Sequence, residues 1–559
     1  MRTFRPGTRG SRLRGVSLLC TLLILTLAGT ALAGGMVVSA SPIASQIGIE
    51  VMRRGGNAVD ASIAVAFALA VVHPSAGNLG GGGFMLIYNA KDGQVTAIDY
   101  REQAPLKAHR DMFLGLSGEV DRDRATIGHL SAGVPGTVAG LSLAHNIYGT
   151  IPFKELIAPA IKLAEEGFPV PKALSDALKR YEKGLKRFPA TTQVFLPKGR
   201  GPEPGEILIQ KDLAGTLRAI AEEGPEAFYK GKIADLIAKE MEAGGGIITK
   251  EDLAIYRPII RRPLVGSYRG LKITSMPPPS SGGLHLIQML NILERFDLKR
   301  LNRIDALHVM AEAMRRAFAD RARFLGDPDF TPVPIGGLIS KDYALALAKG
   351  IELCCATRSD ALEPEDPSRY EGPNTTHFSI IDPYGNAVAN TFTLNHPFGS
   401  KVVVKGAGFF LNNQMDDFSA KPGAIGSEAN AIAPKKRMLS SMAPTFLFKG
   451  ERLFLIIGAS GGVRIITSLL QIIVNVVDYG MGIREATAQP RIHHQWMPDK
   501  LFVEEMDKDI MEGLKAKGHK IDIEERPISI AHSIGIDGEG RLTGAPDPRG
   551  PGAVAEEVR

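Results

Sequence analysis

The chain has 559 residues, 44% of them hydrophobic and 23% charged, with 62 glycines and 36 prolines. That composition excludes a disordered or collagen-like chain, and the length fits two to four domains or one large α/β unit whose core needs no disulfide staples. The formal charge of +6 would suggest a nucleic-acid or membrane partner, but Arg2, Arg5, Arg9, Arg12 and Arg14 fall in the first 33 residues without any acid, so the remainder carries only +1 and the basic signal disappears.

In chain order, those arginines precede a largely apolar run from Val16 to Ala28 and then Ala31-Leu32-Ala33. This is the pattern of a secretory signal peptide with an A-x-A cleavage site, and the run is too short to span a bilayer comfortably; an uncleaved membrane anchor is the alternative reading. Residues 1–33 are therefore read as a leader, with export to the periplasm, a mature start near Gly34 and no stable membrane anchor. Outside the leader, which holds Cys20, only the adjacent Cys354 and Cys355 remain. No disulfide framework follows from that. The sequence contains no C-x-x-C, H-E-x-x-H or EF-hand pattern, and consecutive residues such as His493 and His494 usually point to different faces, so no metal and no cofactor are expected.

Ile43, Ile47 and Val51 are spaced by four and predict a helix over 41–54 that ends at Gly55-Gly56. Asn57 offers the N-cap of a second helix, Ala58 to Val72, apolar nearly all round and hence buried, with Asp60 in its first turn. Phe84–Tyr88 and Val95–Tyr100 read as a hairpin across Lys91-Asp92-Gly93, with Arg101 directly after the second strand. Residues 125–350 read as helix-rich, including Ile304–Leu325, with loops at 196–206 and Pro277-Pro278-Pro279. Residues 358–374, with five acids and almost no aliphatics, read as an exposed linker. It runs straight into a strand, Thr375–Ile381, a turn at 382–386 and a returning strand, Ala387–Leu394. Strands at 409–411, 445–448 and 453–457 and a helix at 465–477 follow. Short-turn hairpins imply a layered α/β protein with mostly antiparallel sheet.

Two stretches could carry nucleophilic catalysis. Gly458-Ala459-Ser460-Gly461-Gly462 lies between a strand and a helix and matches G-x-S-x-G, with Asp478 and His493, His494, His519 or His532 downstream, as a serine hydrolase requires. The same glycines could instead offer backbone N–H groups to a substrate oxyanion, or form a plain strand-to-helix turn. The other stretch is the Asn374-Thr375 junction. A threonine made N-terminal by cutting that bond gains an α-amine of pKa about 8, which can serve as the base for its own hydroxyl.

The residues around both stretches resemble the gamma-glutamyltranspeptidases: GGNAVDA (55–61), GNLGGGGFM (77–85), DYREQAP (99–105), PPPSSGG (277–283), TTHFS (375–379), TFTLN (391–395), LNNQMDDFS (411–419), RMLSSMAPT (437–445) and GASGGVRIIT (458–467). The resemblance spans nearly the whole chain after the leader. It implies an N-terminal-nucleophile hydrolase fold, an αββα sandwich of two mostly antiparallel sheets between helical layers. It also implies self-cleavage of a precursor between Asn374 and Thr375 into a large subunit, 34–374, and a small subunit, 375–559, which stay together as a heterodimer. Thr375 would be both processing residue and nucleophile, with Thr393 hydrogen-bonding it. Arg101, Ser440 and Ser441 would hold a substrate α-carboxylate, and Asn395, Gln414 and Asp417 its α-ammonium. Gly461 and Gly462 would hold the oxyanion, leaving Ser460 without a nucleophilic role. The implied activity is hydrolysis of glutathione and other γ-glutamyl compounds, or transfer of the γ-glutamyl group to amino acid or dipeptide acceptors. Only eleven residues separate Pro422 from Pro434, none of them tyrosine, where lidded members carry a longer loop with an aromatic latch. That points to a more open site. A glutaryl-type cephalosporin acylase, a serine hydrolase acting through Ser460 and a non-catalytic periplasmic binding protein are the alternative readings.

Overall fold

The computed structural model describes residues 34–362, 374–421 and 428–557. The expected leader, most of the acidic linker and part of the short lid-region loop lie outside the described residues. The first helix, α1 (Pro42–Arg53), has proline in its first turn, and the side chain of Ser41 accepts from the N–H of Ala44. The second, α2 (Ala58–Val72), is capped by Asn57 and Asp60 in a reciprocal box, and every one of its residues is buried. Asp60 also accepts from the N–H and hydroxyl of Thr150 (3.0 and 2.5 Å), so one buried carboxylate fixes both the helix start and a distant loop.

Two antiparallel sheets form the centre. Their strands are β1 (Met36–Ser39), β2 (Gly82–Asn89), β3 (Gln94–Tyr100), β4 (Ile259–Arg261), β5 (Leu264–Tyr268), β6 (Leu271–Ser275), β7 (Asn374–Ile381), β8 (Ala387–Asn395), β9 (Thr445–Lys449), β10 (Arg452–Ile457), β11 (Ala459–Ser460), β12 (Ile530–Ile536), β13 (Leu542–Pro546) and β14 (Ala553–Glu556). One sheet runs β14-β1-β7-β8-β2-β3-β4 and the other β11-β12-β10-β9-β6-β5, with β13 on β12. Alternation along each strand separates two cores. Val37, Met85, Ile87, Phe378 and Ile380 face α1 and α2. Met36, Val38, Phe84, Leu86 and Tyr88 face the second sheet, which is covered in turn by α3 (Gly282–Leu293), α4 (Arg303–Phe324) and α5 (Arg464–Val477). This is the expected αββα sandwich.

Three details differ from the sequence reading. The helix-rich stretch 125–350 also contains β4, β5 and β6. Residues 409–411 form only isolated bridges, Gly80 with Leu411 and Val403 with Phe410, because left-handed glycines at 399, 406 and 408 bend the chain away from a straight strand. Ser359, at the start of the supposedly exposed linker, is fully buried. Its hydroxyl donates to Asp499 (2.7 Å), and its carbonyl accepts from the indole N–H of Trp496 (2.9 Å).

Replacing Asp60 by Ala strands several buried donors at once. Loss of its charge-assisted bonds is expected to cost about 3 kcal/mol or more, read as a lowered urea midpoint at unchanged m-value.

Candidate active site

The central pair, β7 and β8, sets Thr375 opposite Thr393, His377 opposite Thr391 and Ser379 opposite Ala389, all on the face toward the second sheet. The register then slips by one, so that Asn395 pairs with Asn374, and Asn395 takes a left-handed backbone (φ +74°). Such a bulge re-aims the side chains beside it. Close approach of β2 depends on its glycines: a Cβ on Gly83 would lie 2.4 Å from the Thr391 carbonyl.

At the end of this pair lies a pocket of about 250 Å³, open mouth included, lined by Arg101, Thr375, Thr393, Asn395, Gln414, Asp417, Ser440, Ser441, Met442, Gly462 and Ile465. Of the residues expected at the site, all but Asn374 and Gly461 line it. Gly461 precedes Gly462 at the start of α5, and Asn374 belongs to β7. Gln414 and Asp417 begin and end one 3₁₀ turn, which brings side chains three apart into line; the Gln414 amide donates to Asp417 Oδ2 at 2.5 Å. Among the described residues, Asp417 Oδ1 and Gln414 Oε1 are buried acceptors without a partner.

Arg101 follows β3 and is 1% exposed. Its guanidinium pairs with Asp417, donates to the carbonyls of Met438 and Leu439 (3.3 and 3.0 Å) and lies 3.5 Å from Glu102. The Ser440-Ser441 segment is propped by the proline loop. Ser281 donates to the Ser440 carbonyl through both N–H and hydroxyl (2.7 and 2.8 Å), and a Cβ on Gly282 would lie 2.6 Å from the Ser441 carbonyl. Gly461 (φ +135°) and Gly462 (φ +60°) turn the chain from β11 toward α5, and among the described residues neither N–H donates to a protein acceptor.

The G-x-S-x-G reading loses its triad here. The Ser460 hydroxyl donates to the Ile530 carbonyl at 3.3 Å, and Asp478 accepts from Tyr268 and Arg269. His493 bonds Thr467 and Gln495, and His519 bonds His308. None of the hydrogen bonds described joins Ser460 to a histidine.

A model of the Gamma-glutamyltranspeptidase family matches residues 44–557. The chain belongs to this family. It is 50% identical over 525 residues to the glutathione hydrolase proenzyme of Escherichia coli K12, covering 92% of this chain and 90% of that one. Among solved structures, a cephalosporin acylase from Bacillus halodurans superposes with TM-score 0.84 at 30% identity over 99% of both chains. A Helicobacter pylori gamma-glutamyltranspeptidase chain does so with TM-score 0.58 at 46% identity, covering 62% of this chain and 98% of that one.

Sequence reasoning missed the charges behind the pocket. Arg321, on α4, is buried and donates to Ser281 and Ser441 (2.9 and 3.2 Å); burial lowers its pKa to about 10. Glu102 is wholly buried, with neither oxygen hydrogen-bonded among the described residues, and burial raises its pKa to about 7 against the opposing pull of Arg101. Burial and the charge of Asp417 raise Asp416 likewise to about 7. Burial also raises Asp417, countered by Arg101 and Gln414. Glu102 and Asp416 lie inside the motifs DYREQAP and LNNQMDDFS but were given no role there, and Arg321 lies outside every motif, because an Arg on a helix and a Glu after an Arg read as ordinary solvated charges.

A glutamate in the unfolded chain releases its proton near 4.5, whereas folded Glu102 keeps it to about 7. Between those values the folded state binds the extra proton, so this group's contribution to stability falls as pH rises through the window and is flat above it. Glu102→Gln lacks the titration. Its stability relative to the parent should therefore improve by up to about 3 kcal/mol between pH 4 and pH 8, measured by urea unfolding at both.

Proposed function

We propose that this chain is a self-processing γ-glutamyl hydrolase and transferase whose nucleophile is Thr375. The observation that carries the reading is the meeting of Arg101 and Asp417 in one pocket with Thr375. A γ-glutamyl donor carries its α-carboxylate and α-ammonium on a single carbon, so its two charges match two neighbouring protein charges of opposite sign. The guanidinium suits the carboxylate through parallel N–H bonds, helped by the hydroxyls of Ser440 and Ser441. The ammonium would satisfy the unpartnered oxygens of Asp417 and Gln414, with Asn395 beside them.

Cleavage before Thr375 would give its hydroxyl an α-amine as base. The hydroxyl then attacks the γ-carbonyl, with Thr393 across the strand pair to hold it. The N–H groups of Gly461 and Gly462 receive the oxyanion, the α-amine passes the proton to the leaving amine, and a γ-glutamyl ester remains on the enzyme. Water releases glutamate; an amino acid or dipeptide takes up the γ-glutamyl group. Glutathione is the expected donor, as it is the named substrate of the Escherichia coli relative. Processing at this bond is supported by that relative's designation as a proenzyme. The solved Helicobacter pylori chain also covers about three-fifths of this one, the share that residues 34–374 represent. The leader points to a periplasmic enzyme made of the two fragments.

Purified enzyme should run as two bands on a denaturing gel, the smaller beginning at Thr375, and release the chromophore from a γ-glutamyl anilide. Thr375→Ala should give one uncut band and a loss of at least about 10⁴-fold in activity. A cut and active Ala variant would overturn the assignment.

The close superposition on an acylase raises a second reading, a glutaryl amide as donor. A glutaryl group has the carboxylate but no ammonium, so Asp417 decides between the two. The parent should prefer γ-glutamyl over glutaryl anilide by about 10²-fold or more in kcat/KM, and Asp417→Asn should erase most of that preference.

A further inference from the structure

Away from the pocket, the loop that follows residue 350 carries Glu352, Cys354 and Cys355, all three exposed. The two cysteines are bonded through their sulfurs. One ligand atom from each of the three residues lies within 4.8 Å of the others, and the sulfur of Cys354 is 3.6 Å from Glu352 Oε2. The backbone beneath is held on both sides. The Glu352 carbonyl is bonded by His308 Nε2 (2.9 Å), the Leu353 carbonyl accepts from Lys517 Nζ, and the Ala356 N–H donates to the Lys517 carbonyl at 2.7 Å. The loop is thus pinned while its sulfurs and carboxylate face solvent.

We propose that the reduced form of Cys354 and Cys355, together with Glu352, is a surface site for a thiophilic divalent ion of the zinc and cadmium type, closed whenever the two sulfurs are bonded to each other. Two thiolates and a carboxylate supply three negative charges, and soft sulfur ligands select such ions over magnesium or calcium. A tetrahedral ion with sulfurs at 2.3 Å needs them about 3.8 Å apart, within reach of neighbouring side chains once the sulfur–sulfur bond is gone. Exposure leaves the fourth position to water.

Opening the site takes two electrons from a low-molecular-weight thiol. One thiolate attacks a cysteine sulfur, breaking the bond and forming a mixed disulfide. A second thiol attacks that disulfide, releasing the oxidised small-molecule disulfide and leaving two cysteine thiols. Exposed disulfides are the ones open to such exchange. Metal binding then displaces both thiol protons.

Among the described residues, the other cluster of ligand-type residues lies just below the loop and does not compete. His308 Nδ1 is bonded to His519 Nε2 at 2.8 Å, and Glu312 is paired with Arg315 and Arg316, so two guanidinium charges oppose any cation there.

The test uses the full chain carrying Cys20→Ser, reduced with a phosphine, freed of reductant without air and titrated with Cd²⁺ while the ultraviolet thiolate-to-metal absorption is followed. One equivalent should bind with that absorption. The oxidised chain and the Cys354→Ser/Cys355→Ser variant should show none. Glu352→Gln should keep the band but weaken binding about tenfold; unchanged affinity would remove Glu352 from the site. Equal Cd²⁺ uptake with or without the two cysteines, or a reduced chain that binds none, would overturn the proposal.

Discussion

Everything at the pocket depends on the register of β7 against β8. Side chains alternate across a strand, so a slip of β7 by one residue would send Thr375 into the helix-facing core, away from Thr393, and bring Phe378 and Ile380 to the inner face. The turn between the strands prevents that. Asp382 accepts from the N–H groups of Tyr384 and Asn386 (2.9 Å each) and from the Asn386 amide, while Gly385 takes the left-handed conformation the reversal needs. Asp382 also accepts from the N–H of Ala58 at the start of α2. The threonine pair is therefore aligned by a turn at the far end of the hairpin, anchored to the helix layer.

The second requirement is electrostatic. Arg101, Glu102, Asp416 and Arg321 are buried close to the nearly buried Asp417, an arrangement that costs desolvation free energy and is rarely the most stable way to fill a core. In the proposed reading its use is orientation: the charges would be fixed before a ligand arrives and would not have to reorganise around it. The two serines held by the proline loop, and the glycines that let that loop approach, belong to the same rigid support.

Much of this was legible in the amino-acid sequence where local rules dominate. Asn57 and Asp60 announce the start of α2, the alternation at 84–100 announces a hairpin, and the abrupt change from acidic linker to apolar run announces the start of β7. Strands β4 to β6 were not legible, because segments of three to five residues between helices, broken by Arg262-Pro263 and Arg269-Gly270, show too little periodicity. The meeting of Arg101 with Asp417, 316 positions apart, follows from chain topology; only family resemblance could suggest it beforehand. Burial of Glu102, Arg321 and Ser359 depends wholly on tertiary neighbours, so residue type misleads at each.

The strand order of the first sheet has a mechanical meaning. Divided before Thr375, it reads small, large, small, small, large, large, large from β14 to β4. The N-terminal strand β1 is clamped between two strands of the other fragment, and β8 is zipped to β2 along seven residue pairs. Two such interlaced pieces share a hydrophobic interior and have no seam along which to part. Breaking one covalent bond would leave dissociation as difficult as unfolding, and fragments once fully separated would have to rebuild the sheet strand by strand.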